Sequence, residues 1–539
     1  MKTNLKQFLI LLIFSVLTLS AFNQKSDKPL PKNFPPDLLT QTPVAPVIND
    51  VSGFYNVKQF GAKGDSINFD TDAINRTIEA ASSAGGGTIY FPAGKYLSFS
   101  IHLKNNITLF LDNGAILIAA DPNQGKGGYD APEPNEFDKF QDFGHSHWHN
   151  SLIWGENLQN IAIIGHGLID GKGLTRSGNT KEGIANKAIA LKWCRNVILK
   201  DISILTGGHF CLLATGVDNF TIDNFKIDTN RDGLDIDCCQ HGHISNCSVN
   251  SPFDDAIVLK SSFALGVARF TEDVTITNCS VSGFDIGTFL NGTYKRENAG
   301  KVPDRGVVTG RIKLGTESNG GFRNITVSNC AFEFCRGLAL ETVDGGILED
   351  ISISNITMRD VMGSPFFLRI GSRMRGPAGT PVGVLRRINI SNVVAYSSNP
   401  DYASLLLGIP GYKIEDVRMD NITILVKGGA PKEQAALVVP EKENAYPDPQ
   451  EFIKIPAYGF FIRHVKNISM TNIDLKYENE DFRPPFILED VEGAYFNNVY
   501  TPHAEGVPSF ILKNVSNFRT INCGILPDKK IDTTTDTKF

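Results

Sequence analysis

The sequence lacks several features that would settle its class directly. No two of its nine cysteines stand in C-x-x-C spacing, so the thiolate pairs that hold structural zinc are missing and no metal site is expected. Neither sign of charge dominates: 52 Lys and Arg against 58 Asp and Glu leave −6, which gives no electrostatic reason to expect nucleic acid. After the amino-terminal run no segment is apolar enough for a membrane span. No cysteine stands directly after that run either, which argues against lipid anchoring of the bacterial lipoprotein kind.

The amino terminus reads as a secretory signal over residues 1–21, with Lys2 and Lys6, an apolar run over 8–19 and then Ser20-Ala21. The run is shorter than the ~20 residues a span needs, so a secreted or periplasmic protein is expected. Residues 22–50, with Pro29, Pro31, Pro35, Pro36, Pro43 and Pro46, read as an extended leader. A single folded domain is expected over 51–527, and the tail DKKIDTTTDTKF over 528–539 is expected to be disordered. A length of 539 residues would ordinarily suggest several domains, but a solenoid grows in one dimension and escapes that rule.

A solenoid is what the middle of the chain suggests. HISNCSV, VTITNCSV, ITVSNCAF, ISISNITM, INISNVVA and VRMDNITI share one shape, and an asparagine recurs at Asn224, Asn246, Asn278, Asn329, Asn355, Asn392, Asn421 and Asn472. Asparagine tolerates the left-handed bend between strands, and stacked asparagines bond to one another as a ladder. Spacings of 22 and 26 fit one coil; those of 51 imply inserted loops or a missed coil. Cys247, Cys279 and Cys330 share that setting and read as small apolar side chains stacked inside the coil. Upstream, Asp70 or Thr71 can cap a helix that carries Ile74, Ile78 and Ala81 on one side and stops at Gly85-Gly86-Gly87. Such a helix would cover the open end of the solenoid, whose strand edges otherwise invite aggregation. The fold class is therefore all-β, a parallel β-helix with a short N-terminal capping helix.

Two insertions break the rhythm, at 121–150 and 284–309. The first contains His145, His147 and His149 in H-x-H-x-H spacing, with no carboxylate or cysteine placed in sequence to complete a metal site. It is expected to wall a cleft, with Trp148 as a sugar-stacking surface or simply as packing.

The chemistry concentrates in NRDGLDIDCCQHGHISNCSVNSPFDDAIVLKS, over 230–261. Asp254-Asp255 follow Asp232 by 22 residues, about one coil, so the three carboxylates would stack about one strand spacing, ~4.8 Å, apart. Crowded carboxylates raise one another's pKa, and a protonated acid beside an ionised one is the equipment of glycoside hydrolysis. The plainer readings are turn capping or calcium binding.

These residues carry a resemblance. FGAKGDSINFDTDAINRTIEAASSAGGGTIYFPAGKY, NRDGLDID and DDAIVLKS are similar to the cap sequence, Asn-Thr-Asp-Gly motif and Asp-Asp motif of the polygalacturonases and related pectinases, glycoside hydrolase family 28. The likeness covers roughly 54–360. It implies a right-handed β-helix and inverting hydrolysis of an α-glycosidic bond with no cofactor. Asp254 would be the general acid, and Asp232 with Asp255 would hold and deprotonate the attacking water. The acid and base would then lie ~6.5–9.5 Å apart. Lys260, six residues after Asp254, would orient substrate or solvate an edge.

The departures bear on substrate. Where the family usually has Gly-His-Gly, this chain has Gly310-Arg311-Ile312; where it has Arg-Ile-Lys, this chain has Ala339-Leu340-Glu341. Glu341 would repel a uronate unless Arg311 and Lys313, alternate residues on one side of a strand, supply the lost positive charge. Otherwise Glu341 would bind sugar hydroxyls. Arg369, Arg373 and Arg375 form another basic cluster, read either as an anion site or as a solvated rim. The expectation is a monomeric, exported hydrolase of pectin-like or related acidic polysaccharide, with exo action favoured by the insertions. A lyase on the same fold and a non-enzymatic carbohydrate-binding β-helix are the alternatives.

Overall fold

The computed structural model describes residues 53–539 except 125–126, 142–143, 298–305, 453 and 525; the expected secretory signal and leader lie outside the described residues. The chain winds as a right-handed parallel β-helix. Its coils are built from short strands such as β1 (Phe210–Thr215), β2 (Asp232–Asp237) and β3 (Ile257–Ser261), followed by β4 (Ile312–Ser318) and β5 (Leu338–Thr342). Each pairs in parallel with the strand one coil on: Leu212 lies beside Leu234, Leu234 beside Ile257 and Ile257 beside Ile312. Side chains alternate across a strand, so this file points into the core while Leu213, Asp235, Val258 and Lys313 form the file outside it. The site is built on that outer face.

Asparagines turn the corners. All eight recurring asparagines adopt positive φ, between 53° and 57°. Asn355 donates to Asn329 (3.0 Å), Asn392 to Asn355 (3.1 Å) and Asn421 to Asn392 (2.8 Å), while Asn224 and Asn472 find Asp201 and Asp420 as rungs. The 51-residue intervals are inserted loops: Thr275 pairs directly with Thr326, and Thr423 with Asp474. All nine cysteines are buried and unpaired.

Helix α1 (Thr71–Ser83) buries Ala73, Ile74, Thr77, Ile78 and Ala81 against the first coil. Asp70 occupies the cap position, but its carboxylate accepts from the backbone of Lys63 (2.6 Å) and Gly64 (3.0 Å) instead of the helix. At Gly86, φ is +131° and a Cβ would fall 2.5 Å from the Asn106 carbonyl, so only glycine allows the chain to pass there.

The opposite end corrects the expectation of a disordered tail. Strand β6 (Phe510–Ile521) is covered by β7 (Lys529–Lys538), which pairs with it antiparallel. Phe539 stacks on Phe510, which stacks on Phe486 and so on to Phe460. The polar composition that suggested disorder suits an edge strand with one face in solvent.

Candidate active site

Asp232 opens β2, and Asp254-Asp255 sit in the turn that leads into β3 one coil later. The Gly233 amide donates to the Asp255 carbonyl (3.0 Å), which locks the two coils in register. One oxygen from each of Asp232, Asp254 and Asp255 lies within 4.8 Å of the others. Stacked coils bring Asp232 to the Asp254-Asp255 turn of the next coil, one strand spacing on.

Each carboxylate has its own cation. An Arg231 guanidinium nitrogen donates to Asp254, which also accepts from the Asp255 amide (3.0 Å). Arg311 Nε donates to Asp255 Oδ1 (2.7 Å), and Lys313 Nζ lies 3.2 Å from Asp255 Oδ2. Asp232 is held least tightly, with Lys260 Nζ 3.6 Å from one oxygen and no hydrogen-bond partner for the other among the described residues. Burial, with Asp235 and Asp254 alongside, pushes the Asp232 carboxyl well above the usual carboxylate range, and Lys260 offsets only part of this. Burial pulls Lys260 the other way, yet Asp235, Asp232 and Glu317 keep it a firm ammonium.

Of the residues singled out in the sequence, Asp232, Asp254, Asp255, Lys260 and Lys313 line one pocket. Lys260 is not a solvated edge: it is 4% exposed and donates to Asp235 (3.0 Å). Arg311 and Glu341 stand behind the wall, 1% and 0% exposed. Glu341 lies 3.5 Å from Lys313 and 3.7 Å from Arg311, so it is the counter-charge of those cations and does not meet a sugar hydroxyl. Burial raises its carboxyl, with Lys313 and Arg311 opposing.

Trp148 is a correction. It is fully buried among Ala190, Phe210, Leu213 and Ala264 and donates to Thr215 Oγ1 (3.0 Å), so it anchors the 121–150 insertion onto β1 and offers no stacking face. The arginine cluster is also dispersed: Arg369 donates to the carbonyls of Gly408, Glu441 and Lys442, while Arg373 bonds to Asp344.

Sequence reasoning passed over His209, Arg231, Asp235, Thr316, Glu317 and Tyr446, which complete the lining or its support. Asp235 had a signal, since LDID alternates and places it on the same side as Asp237. Tyr446 had none, because it returns to Thr316 (3.1 Å) from an insertion over 429–459. His145 does wall the pocket, and the histidines do have carboxylates: His145 lies 3.4 Å from Asp235, His147 3.3 Å from Asp138 and His149 2.9 Å from Glu156. Those three partners diverge, so the motif does not form one metal site. His145, Asp232 and Asp235 are close enough to hold an ion, as is the aspartate trio. The Lys260 ammonium stands in the first group, and Arg231, Arg311 and Lys313 ring the second, which repels a divalent cation.

A model described as glycosyl hydrolases family 28 matches residues 135–444, and one described as rhamnogalacturonase A/epimerase, pectate lyase-like, matches 54–199. A probable polygalacturonase of Vitis vinifera is 25% identical over 397 residues, 69% of this chain and 74% of that protein. An exo-poly-α-D-galacturonosidase of Dickeya chrysanthemi is 28% identical over 225 residues, 38% of this chain and 34% of that protein, so the match spans about a third of that relative. Among solved structures, the hyperthermoactive exopolygalacturonase of Thermotoga maritima superposes with a TM-score of 0.57 at 19% identity, over 80% of this chain and 93% of that one. At that identity the likeness speaks for the fold.

Proposed function

The chain belongs to family 28 of the glycosyl hydrolases, and from that premise we propose that it is an exported enzyme removing terminal residues from an α-linked, pectin-like acidic polysaccharide with inversion. The observation that carries the hydrolase reading is the aspartate trio within 4.8 Å, set against Lys313 and Arg311 one coil away; inversion rests on the family alone. Asp254 protonates the leaving oxygen; Asp232 and Asp255 hold and deprotonate the water. Asp255 is committed to two cations and Asp254 to Arg231, which fixes where each carboxylate points.

Lys313 supports a uronate at the reacting subsite, since its ammonium lines the pocket while Glu341 behind it fixes its position. The name of the Dickeya relative supports exo action. The secretory signal supports export.

A second assignment within this mechanism rests on one observation: Asp232, buried beside Asp235 and Asp254, has its carboxyl pushed well above the usual carboxylate range, which suits it to hold a proton at rest. Substrates whose leaving group needs no proton separate the two. The variant that has lost the acid still cleaves a dinitrophenyl α-galacturonide, whereas one that has lost the base does not.

The test of the whole reading is product analysis on pectic, rhamnogalacturonan and algal polysaccharides. New reducing ends without ultraviolet absorbance, released as single residues whose first anomer by NMR is β, support it. Absorbing products replace it with a lyase, and a first-formed α anomer replaces inversion with retention.

A further inference from the structure

A second concavity, about 990 Å³, runs along the carboxyl-terminal coils, and Arg387, Arg418, Ser469, Tyr495 and Arg519 contribute to its lining. It is on a different face from the catalytic trio. The strand Phe460–Asn479 carries Arg463 in the file of Glu341 and Arg369, then turns through His464 and Asn467, at φ 53° and 58°, before reaching Ser469.

Four of these residues stand in single file, because Arg418 pairs with Ser469, Ser469 with Tyr495 and Tyr495 with Arg519. Successive strands are ~4.8 Å apart, so the two arginines are held roughly 14 Å from each other on a rigid sheet. Tyr495, 36% exposed, stands between them. Arg387 is committed to Asp350 (2.7 and 3.0 Å) and Glu349, and Asp416 accepts from Asn467 (3.0 Å). Arg418 and Arg519 have no hydrogen-bond or ion-pair partner among the described residues and are exposed. Two unpaired guanidinium groups flanking an aromatic ring, in line along an open groove, match an extended chain that carries carboxylates and flat sugar faces.

We propose that this groove is an ancillary binding site for a uronate-bearing polysaccharide, gripped by Arg418 and Arg519 while Tyr495 stacks on a sugar between them. It rests on the acidic-substrate reading above and extends it. The groove holds the polymer, and the pocket on the other face processes an end.

The test is gel electrophoresis of the full chain carrying Asp254→Asn, run through gels containing polygalacturonate, with and without Arg418→Ala/Arg519→Ala. The paired substitution weakens retention about tenfold, the order expected for losing two exposed charge-assisted contacts. Raising the salt concentration weakens retention of the parent in the same direction. Tyr495→Ala weakens it and Tyr495→Phe does not. In the otherwise wild-type enzyme the arginine substitutions leave kcat/KM on a trigalacturonide unchanged and raise KM for the polymer. Unchanged retention after losing both arginines overturns the proposal, as does equal retention by a neutral arabinan. If the enzyme hydrolyses short uronates but the polymer does not retard it, the groove fails and the functional reading stands. If it neither hydrolyses nor binds any uronan, both fail.

Discussion

Arg231 reaches across one coil to bond the carboxylate of Asp254, so the proposed proton donor is oriented by the residue next to Asp232 in sequence. The two aspartate motifs, separate in the chain, are thereby one mechanical unit.

Asp254→Asn keeps the shape of the side chain and its contact with Arg231 while removing the transferable proton. Turnover of a natural polymer should fall about 10²–10⁴-fold, with the melting temperature close to wild type. Turnover near wild type overturns the assignment of Asp254 as the acid.

The pH profile follows from Asp232. Its carboxyl titrates above the ordinary range because it is buried beside Asp235 and Asp254, and Lys260 is the cation that opposes this. If Asp232 must be ionised to hold water, kcat/KM rises as pH rises through that raised value. Lys260→Met takes away the opposing cation, so the acid limb should move further up, by about 1–3 units. A limb that stays in place would mean another group controls it.

Glu317 gives a stability signature of the opposite sign. Burial alone would raise its carboxyl, but His145, Lys260 and Arg373 outweigh that and bring it down from 4.5 to about 2. A carboxylate depressed in the folded state contributes stability above its unfolded pKa and loses it as pH falls through the folded one. Urea titrations between pH 5 and pH 2, on the order set by these values, should therefore show a decline that is shallower in Glu317→Gln. Equal slopes would remove Glu317 from the charge network.

The corner ladder is testable at Asn355, which bonds the asparagines above and below it and sits at φ 57°. Asn355→Ala loses two hydrogen bonds and places a less tolerant residue in the left-handed region. Chemical denaturation should show about 1–3 kcal/mol of destabilisation, while Asn355→Gly, which keeps the bend and loses only the rungs, should cost less.

What the sequence made legible was whatever repeats locally. The corner asparagines, the buried cysteines and the helix face of Ile74 and Ile78 follow from periodicity, and Asp232 with Asp254-Asp255 from one coil's spacing. What it hid depends on where loops land. Trp148 looked like a cleft aromatic because its loop borders the cleft, yet it points into the wall. Glu341 read as a subsite residue because its motif position does so in relatives; here it is buried beside Arg311, and Lys313 is the residue that lines the pocket. Tyr446 arrives from an insertion with no repeat pattern, and nothing in its neighbours' types announces where it docks. Residues 529–538 are polar enough to resemble a free tail, and only the uncovered strand beside them gives them a partner.

That last strand also sets a limit on growth. A stack of parallel coils presents the same unfinished rim at every level, and in principle another copy could continue it indefinitely. Running the final segment backwards, with Phe539 seated on Phe510, gives the stack a lid that does not repeat the template beneath it. The parallel pairing that joins coil to coil is therefore not the pairing found at this rim.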